Sequence, residues 1–241
     1  MFHYTVNMVL EILKSSIAFL TTLPLKGDTD VLRRNLWIFP FTGIFIGFII
    51  SIPSFFSLWI FCLLLYIAIE GINHIDGLAD FGDSFFAPQE KKIIALKDVN
   101  IGAGGASFLI FYFIILYYAF QRVDPFEIIF SQLIAKFSML ILLTTSKPAW
   151  KGMGAYMMQF ARKKDLVIGT LSFSFSIIEP SLLISLILVI PIVLSIREYS
   201  ERNFGGVSGD IIGACNCISF ATTLLFCSLF EMDIFNILLF Y

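Results

Sequence analysis

The run Phe108-Leu109-Ile110-Phe111-Tyr112-Phe113-Ile114-Ile115-Leu116-Tyr117-Tyr118-Ala119-Phe120 holds no charged side chain, and neither does the stretch 181–196. Segments of this kind have lipid as their natural solvent. The whole chain agrees. Of 241 residues, 58% are hydrophobic and only 14% charged, against about 25% charged residues in soluble domains. Phe alone occurs 28 times, and the mean hydropathy is +0.89. A water-soluble core has no room for that much apolar surface. Working outward, apolar segments lie near 36–52, 54–70, 104–120, 126–145, 166–178, 180–196 and 209–230. Several fall short of the ~20 residues of a perpendicular span. The expectation is an all-α, polytopic membrane helix bundle of about six to seven spans, forming one domain over 1–241. Before it, Val6, Leu10, Leu13 and Ile17 alternate with Asn7, Glu11, Lys14 and Ser15. That pattern suits an N-terminal amphipathic helix lying in the bilayer interface, not a cleaved signal peptide.

Pro53, the Gln121–Pro125 break and the Glu179-Pro180 pair divide the apolar stretches, and each reads as the tip of a helical hairpin. If the three tips share one side, the connections 26–35, 71–103, 146–165 and 197–208 share the other. Those connections hold Lys26, Arg33, Arg34, Lys91, Lys92, Lys97, Lys147, Lys151, Arg162, Lys163, Lys164, Arg197 and Arg202, while the tips hold Arg122 alone. The bias of Lys and Arg toward the inside then places the polar loops in the cytoplasm and the protein in the cell membrane. No basic tract points to nucleic acid. Cys62, Cys215, Cys217 and Cys227 sit inside apolar segments without metal-ligand spacing and read as packing residues.

The chemistry concentrates in Glu70-Gly71-Ile72-Asn73-His74-Ile75-Asp76-Gly77-Leu78-Ala79-Asp80-Phe81-Gly82-Asp83. On a helix Asp76, Asp80 and Asp83 are spaced i, i+4, i+7 and share a face. Stacked anions repel, so the pattern calls for a cation among them, and oxygen-only ligands select Mg²⁺, with Mn²⁺ as the alternative. A solvated acidic loop is the plainer reading. Three acids in register beside Gly, His74 and Glu70 favour the metal site. His74 points to a different face from Asp76 and suits a hydrogen bond to ligand or to protein. A second patch, Lys97-Asp98-Val99-Asn100-Ile101-Gly102-Ala103-Gly104-Gly105, opens a new helix with amides and a cation suited to phosphate, or with glycines for close packing. In a third, Gly205-Gly206-Val207-Ser208-Gly209-Asp210, Asp210 either caps the last helix or joins Asp76 on the same side. Lys147 and Lys151 add cations to that mouth.

In this order the patches resemble the cobalamin synthases, or adenosylcobinamide-GDP ribazoletransferases, whose acidic motif is similar to that of the CDP-alcohol phosphotransferases. The resemblance runs through Phe19-Leu20-Thr21-Thr22-Leu23-Pro24, then Phe39-Pro40-Phe41-Thr42-Gly43 with Gly47. It continues in His74-Ile75-Asp76-Gly77-Leu78-Ala79-Asp80 with Asp83, Lys97-Asp98 with Gly102, and Gly205-Gly206 with Gly209-Asp210 and Gly213-Ala214. Two positions depart from it: Lys97-Asp98-Val99-Asn100 stands where the family has Lys-Asp-Ser-Arg, and Ser84 where glycine is expected. The resemblance implies transfer of adenosylcobinamide phosphate from its GDP adduct to α-ribazole or α-ribazole 5′-phosphate, with release of GMP. It further implies a Mg²⁺ site of Asp76, Asp80, Asp83 and Asp98, with Asp83 or Asp80 catalytic. Glu70, His74, Lys97, Lys147, Gly206 and Asp210 are the expected substrate contacts, the lipid bilayer is the expected surroundings, and an oligomer is left open. Two rivals share parts of this logic. A CDP-alcohol phosphotransferase would carry an Ala-Arg pair where this chain has Ala79-Asp80, and a cation-coupled transporter would place its acids near the bilayer midplane.

Overall fold

The computed structural model describes residues 2–177 and 179–230. Twelve α-helices follow in order among them: α1 Phe2–Leu20, α2 Thr29–Arg33, α3 Phe39–Ser51, α4 Trp59–Glu70, α5 Asn73–Phe86, α6 Lys92–Ala95, α7 Ala103–Phe120, α8 Pro125–Thr145, α9 Met153–Met158, α10 Lys163–Gly169, α11 Leu186–Phe204 and α12 Gly209–Leu229. Five helical stretches are long and apolar enough to cross a membrane, and α4 with α5 would make a sixth if counted as one bent span. The all-α membrane bundle expected from composition is what forms.

The bundle is organised by how much of each helix the others cover. In α8 and α12, 89% and 78% of the apolar window is buried, so these two form the centre, whereas α7 and α11 bury only 28% and turn most of their Phe, Tyr, Ile and Leu side chains outward to lipid. Between helices already immersed in hydrocarbon, association comes from close packing more than from water exclusion. Accordingly α3 meets α8 backbone to backbone: a Cβ on Gly43 would fall 2.5 Å from the Gln132 carbonyl oxygen, and one on Gly47 2.6 Å from the Ile129 Cα.

Connectivity sorts the two ends. Helices α7 and α12 begin, and α8 and α11 finish, at one end, where the connections 87–102, 146–162 and 205–208 lie. The opposite end holds the tips at 52–58 and 121–124. At the second tip Asp124 caps α8 by accepting from the amides of Phe126 and Glu127, and Glu127 returns the bond to the Asp124 amide.

The stretch 166–178, expected as a span of its own, takes a compound form: α10 followed by a 3₁₀ helix over Thr170–Ile177. Its seven and eight residues advance about 26 Å at the rises of the two helix types. It runs antiparallel to α8, with Gly169 against Leu140, Phe173 against Phe137 and Phe130, and Phe175 stacked on Phe126. The larger rise per residue of the 3₁₀ helix lets a short segment cover most of the bundle's height.

The expected interfacial helix is α1. Its later half docks through Ile12, Ile17 and Leu20, while Val6, Met8, Val9 and Leu10 protrude. Ser16 accepts a hydrogen bond from Thr42 of α3 at 2.7 Å, which fixes the junction.

Candidate functional site

Helix α4 is twelve residues long, about 18 Å, and stops at Gly71, whose φ of +70° suits glycine. There the chain turns by 91° into α5. Thr22 braces the turn: its amide donates to the Ile69 carbonyl at 2.8 Å and its hydroxyl to the Ala68 carbonyl, two acceptors that the helix end leaves open. So the Thr21-Thr22 element holds the acidic helix at its angle.

From this bend α5 passes out of the span and lies across the beginnings of α12 and α7. A Cβ on Gly77 would stand 2.5 Å from the Asp210 carbonyl oxygen, and one on Gly104 2.6 Å from that of Gly82. Two helix N-termini therefore abut a helix that carries three carboxylates, and their positive ends offset part of the negative charge. At the far end Lys92 donates to the Ser84 and Phe85 carbonyls at 3.0 Å each and to the Tyr199 hydroxyl at 2.8 Å, closing the C-terminus of α5.

The acids occupy different niches. Asp83 is a cap supplied from another helix: its two oxygens accept from the Gly102 amide at 2.7 Å and the Gly105 amide at 2.9 Å. Gly102, the N-cap of α7, has no side chain to do this itself. Asp98 accepts from the Asn100 amide and side chain at 3.0 and 2.9 Å, bonds that hold its carboxyl below the ordinary value. Asp210 is not the cap of α12. Ser208 takes that place by accepting from the Ile211 amide, and Asp210 stands in the first turn, accepting from the Ser208 hydroxyl at 3.2 Å.

The side-chain carboxylates of Asp76 and Asp80 have no hydrogen bond or ion pair to any described residue. Burial raises the Asp80 carboxyl, and the charges of Asp76, Asp210, Asp83 and Asp98 raise it further, to about 7. Four carboxylates thus act on a fifth. No Lys or Arg pairs with any of them among the described residues, and uncompensated, oxygen-only donors fit a hard divalent cation. The fit is chemical rather than pre-shaped, since no three acidic, His or Cys side chains among the described residues already stand as a metal-binding group. Repelling carboxylates without a counter-charge have reason to stay apart.

Beside the acids lies a cavity of about 460 Å³. Asn73, His74, Asp76 and Asp210 form its polar edge, and Phe19, Phe39, Met139, Leu143, Met153 and Met157 its apolar walls.

The other expected contacts are placed as follows. Lys97 lies over the Trp150 ring at 4.0 Å, and Lys147 is exposed. Gly206 is buried where two backbones cross: a Cβ there would meet the Lys147 carbonyl oxygen at 2.5 Å, and Val207 pairs with 147–149 on either side of Pro148. Lys92 is engaged by the end of α5 and by Tyr199. Glu70 is fully buried and bonded to His74, Lys136 and Asn216. Sequence reasoning passed over Lys136 and Asn216. The available signal was a lysine in the middle of the apolar run 126–145, since an ionisable residue inside a span needs a partner.

The crossing of α5 and α7 gives one expected outcome. A Cβ on Gly105 would lie 2.6 Å from an Asp83 oxygen and 2.7 Å from the Ala79 carbonyl oxygen. Gly105→Ala is expected to cost about 1–3 kcal/mol and to lower the thermal unfolding midpoint in detergent. Gly152→Ala, where a Cβ meets nothing within 4 Å, serves as the unaffected control.

Comparison with known proteins reaches nearly the whole chain. The family model described as Cobalamin-5-phosphate synthase matches residues 12–228. Two proteins of Archaeoglobus fulgidus, both named adenosylcobinamide-GDP ribazoletransferase, are 61% identical over 220 residues (91% of this chain, 98% of the relative) and 45% identical over 222 (90% and 96%). A Thermococcus kodakarensis protein of the same name is 32% identical over 223 residues, covering 88% of this chain and 96% of its own. No solved structure matches the chain.

Proposed function

The chain belongs to the cobalamin-5-phosphate synthase family, and we propose that its acid-lined end carries out the family's transfer with the help of a divalent cation. The reaction is that of an adenosylcobinamide-GDP ribazoletransferase, as in its 61%-identical relative. A ribose hydroxyl of α-ribazole, or of its 5′-phosphate, attacks the phosphorus that bears adenosylcobinamide. The new O–P bond forms as the bond to GMP breaks, and the hydroxyl proton passes to the protein. The observation that carries the proposed site is that the charges of Asp76, Asp83, Asp98 and Asp210 all bear on Asp80 while no Lys or Arg among the described residues pairs with any of them.

Asp76 and Asp80, free of protein partners, are the first residues to hold Mg²⁺ or Mn²⁺, with Asp98 and Asp83 flanking. When bound, the cation would neutralise negative charge on the diphosphate. The protein's own contributions are more specific. Asp80 is the proposed acceptor of the hydroxyl proton, and its rise to about 7 belongs to the cation-free protein, where its neighbours lack a counter-charge. Asp83, tied to two amides, fixes α5 against α7 and so sets where Asp80 stands. Lys97 and Lys147 are placed to meet nucleotide phosphates on the exposed face. The excess of Lys and Arg at this end supports a cytoplasmic site in a cell-membrane protein.

The reading is tested in membranes with adenosylcobinamide-GDP, α-ribazole and Mg²⁺. GMP release that depends on α-ribazole supports it, and its absence with properly inserted protein would sink it. Cation affinity supplies a second test. Asp80 keeps its proton until about pH 7, and a cation competes for the same oxygens. Mg²⁺ or Mn²⁺ binding measured by calorimetry is therefore expected to weaken as pH falls below 7 and to level off above it. Affinity independent of pH from 5.5 to 8 would remove Asp80 from the ligand set.

A further inference from the structure

Beneath the cavity floor lies a polar cluster that the transfer described above does not use. The side chains of Glu70 and Lys136 are both 0% exposed, and Nζ of Lys136 stands 2.6 Å from Glu70 Oε1. Lys136 also donates to Asn216 Oδ1 at 2.8 Å, and Asn216 Nδ2 donates to Glu70 Oε2 at 3.1 Å. Three helices, α4, α8 and α12, each contribute one member. A carboxylate paired with Lys and receiving an amide N–H is an acceptor only. Its Oε2 lies 2.9 Å from His74 Nδ1, so the hydrogen on that contact belongs to the imidazole. In a neutral ring the other nitrogen, Nε2, is then a bare acceptor. Nε2 has no hydrogen-bond partner among the described residues, and His74 lines the cavity.

The cavity's polar edge consists of this imidazole, Asp76, Asp210 and Asn73, and no Lys or Arg lines it. Asn73 apart, every polar side chain there accepts. Such an edge suits hydroxyl donors, while Phe19, Phe39, Met139 and Leu143 opposite offer apolar surface for a flat heterocycle. We infer that Glu70, Lys136 and Asn216 are positioning residues that lock His74 as its Nδ1–H tautomer, so that Nε2 accepts a hydrogen bond from a sugar hydroxyl of the nucleoside acceptor seated in this cavity. The inference rests on the transfer reaction for the identity of the nucleoside, but the tautomer lock does not.

The test has two arms. The chain contains two histidines, so His3→Gln leaves His74 alone, and ¹⁵N spectra of the labelled protein in nanodiscs at pH 8 read its protonation directly. A protonated Nδ1 and bare Nε2 are expected. The opposite tautomer or an imidazolium would overturn the lock. Glu70→Gln/Lys136→Met, which removes both charges at similar volume, is expected to give a mixture of tautomers, and an unchanged spectrum would show that the cluster does not set them. In the kinetic arm, His74→Asn keeps a donor toward Glu70 but has no acceptor at the Nε2 position. Its KM for α-ribazole is expected to rise roughly three- to tenfold, as for one lost hydrogen bond, with the KM for adenosylcobinamide-GDP unchanged. His74→Gln, whose longer amide can place an oxygen near Nε2, is expected to recover at least half of the loss. Equal rises for both substrates, or none, would refute the contact. A wild-type chain without turnover would refute the transfer reading instead, and the spectra would still decide the lock.

Discussion

Asp80→Asn is expected to abolish ribazole transfer while making the cation-free protein harder to unfold. The two effects have one origin. Asp80 sits where burial and four neighbouring carboxylates press its carboxyl up to about 7. A carboxyl whose folded pKa lies above its ordinary 3.8 favours the folded state at low pH, and that contribution is lost as pH rises through 7. At pH 8 the wild type therefore carries an uncompensated, half-buried charge that the neutral amide of Asn lacks. The thermal midpoint of Asp80→Asn in detergent with a chelator should exceed that of the wild type at pH 8, and the gap should close toward pH 5.5. Activity moves the other way. Removing one group that stabilises transition-state charge costs about 10²–10³ in kcat, and Asp80 is also the proposed proton acceptor, so turnover should fall at least that far. A variant that is active, or that is less stable than wild type at pH 8, would contradict this account of the site.

Lys136→Met is expected to be the most damaging single change outside the acidic helix. It leaves Glu70 buried without its cation, and breaking a buried pair from one side costs about 3–5 kcal/mol. Yield of folded protein in mild detergent and its midpoint should both drop. Glu70→Gln/Lys136→Met removes both charges, and replacing a buried pair by neutral groups of similar size is often close to neutral. The double variant should therefore regain most of the lost stability, and failure to do so would mean that Lys136 supports the bundle by something other than its bond to Glu70. Its turnover is expected to stay impaired, because His74 has lost its fixed partner.

Most of the bundle was readable from apolar runs, since lipid leaves a helix little choice but to be apolar along its length. The crossings at 104–120 and 126–145 appear as α7 and α8. The i, i+4, i+7 spacing of Asp76, Asp80 and Asp83 likewise becomes one stretch of α5. What sequence could not give was long-range. The direction of α5 depends on Gly71 together with Thr22, some fifty residues earlier, and a hydropathy window holds no such information. The role of Asp83 depends on the missing side chain of Gly102, so a spacing that looks like a ligand set contains a helix cap as well. In the run 166–178 the apolar composition was right but the length was not, and a 3₁₀ stretch made up the height. Lys136 was legible as an oddity, yet its partners come from two other helices.

The acid-bearing helix and the adjoining cavity lie at one end of the bundle, and the tips at 52–58 and 121–124 lie at the other. The corrinoid donor, its nucleotide leaving group and the incoming nucleoside are therefore expected to exchange at the acid-lined end, on one side of the bundle.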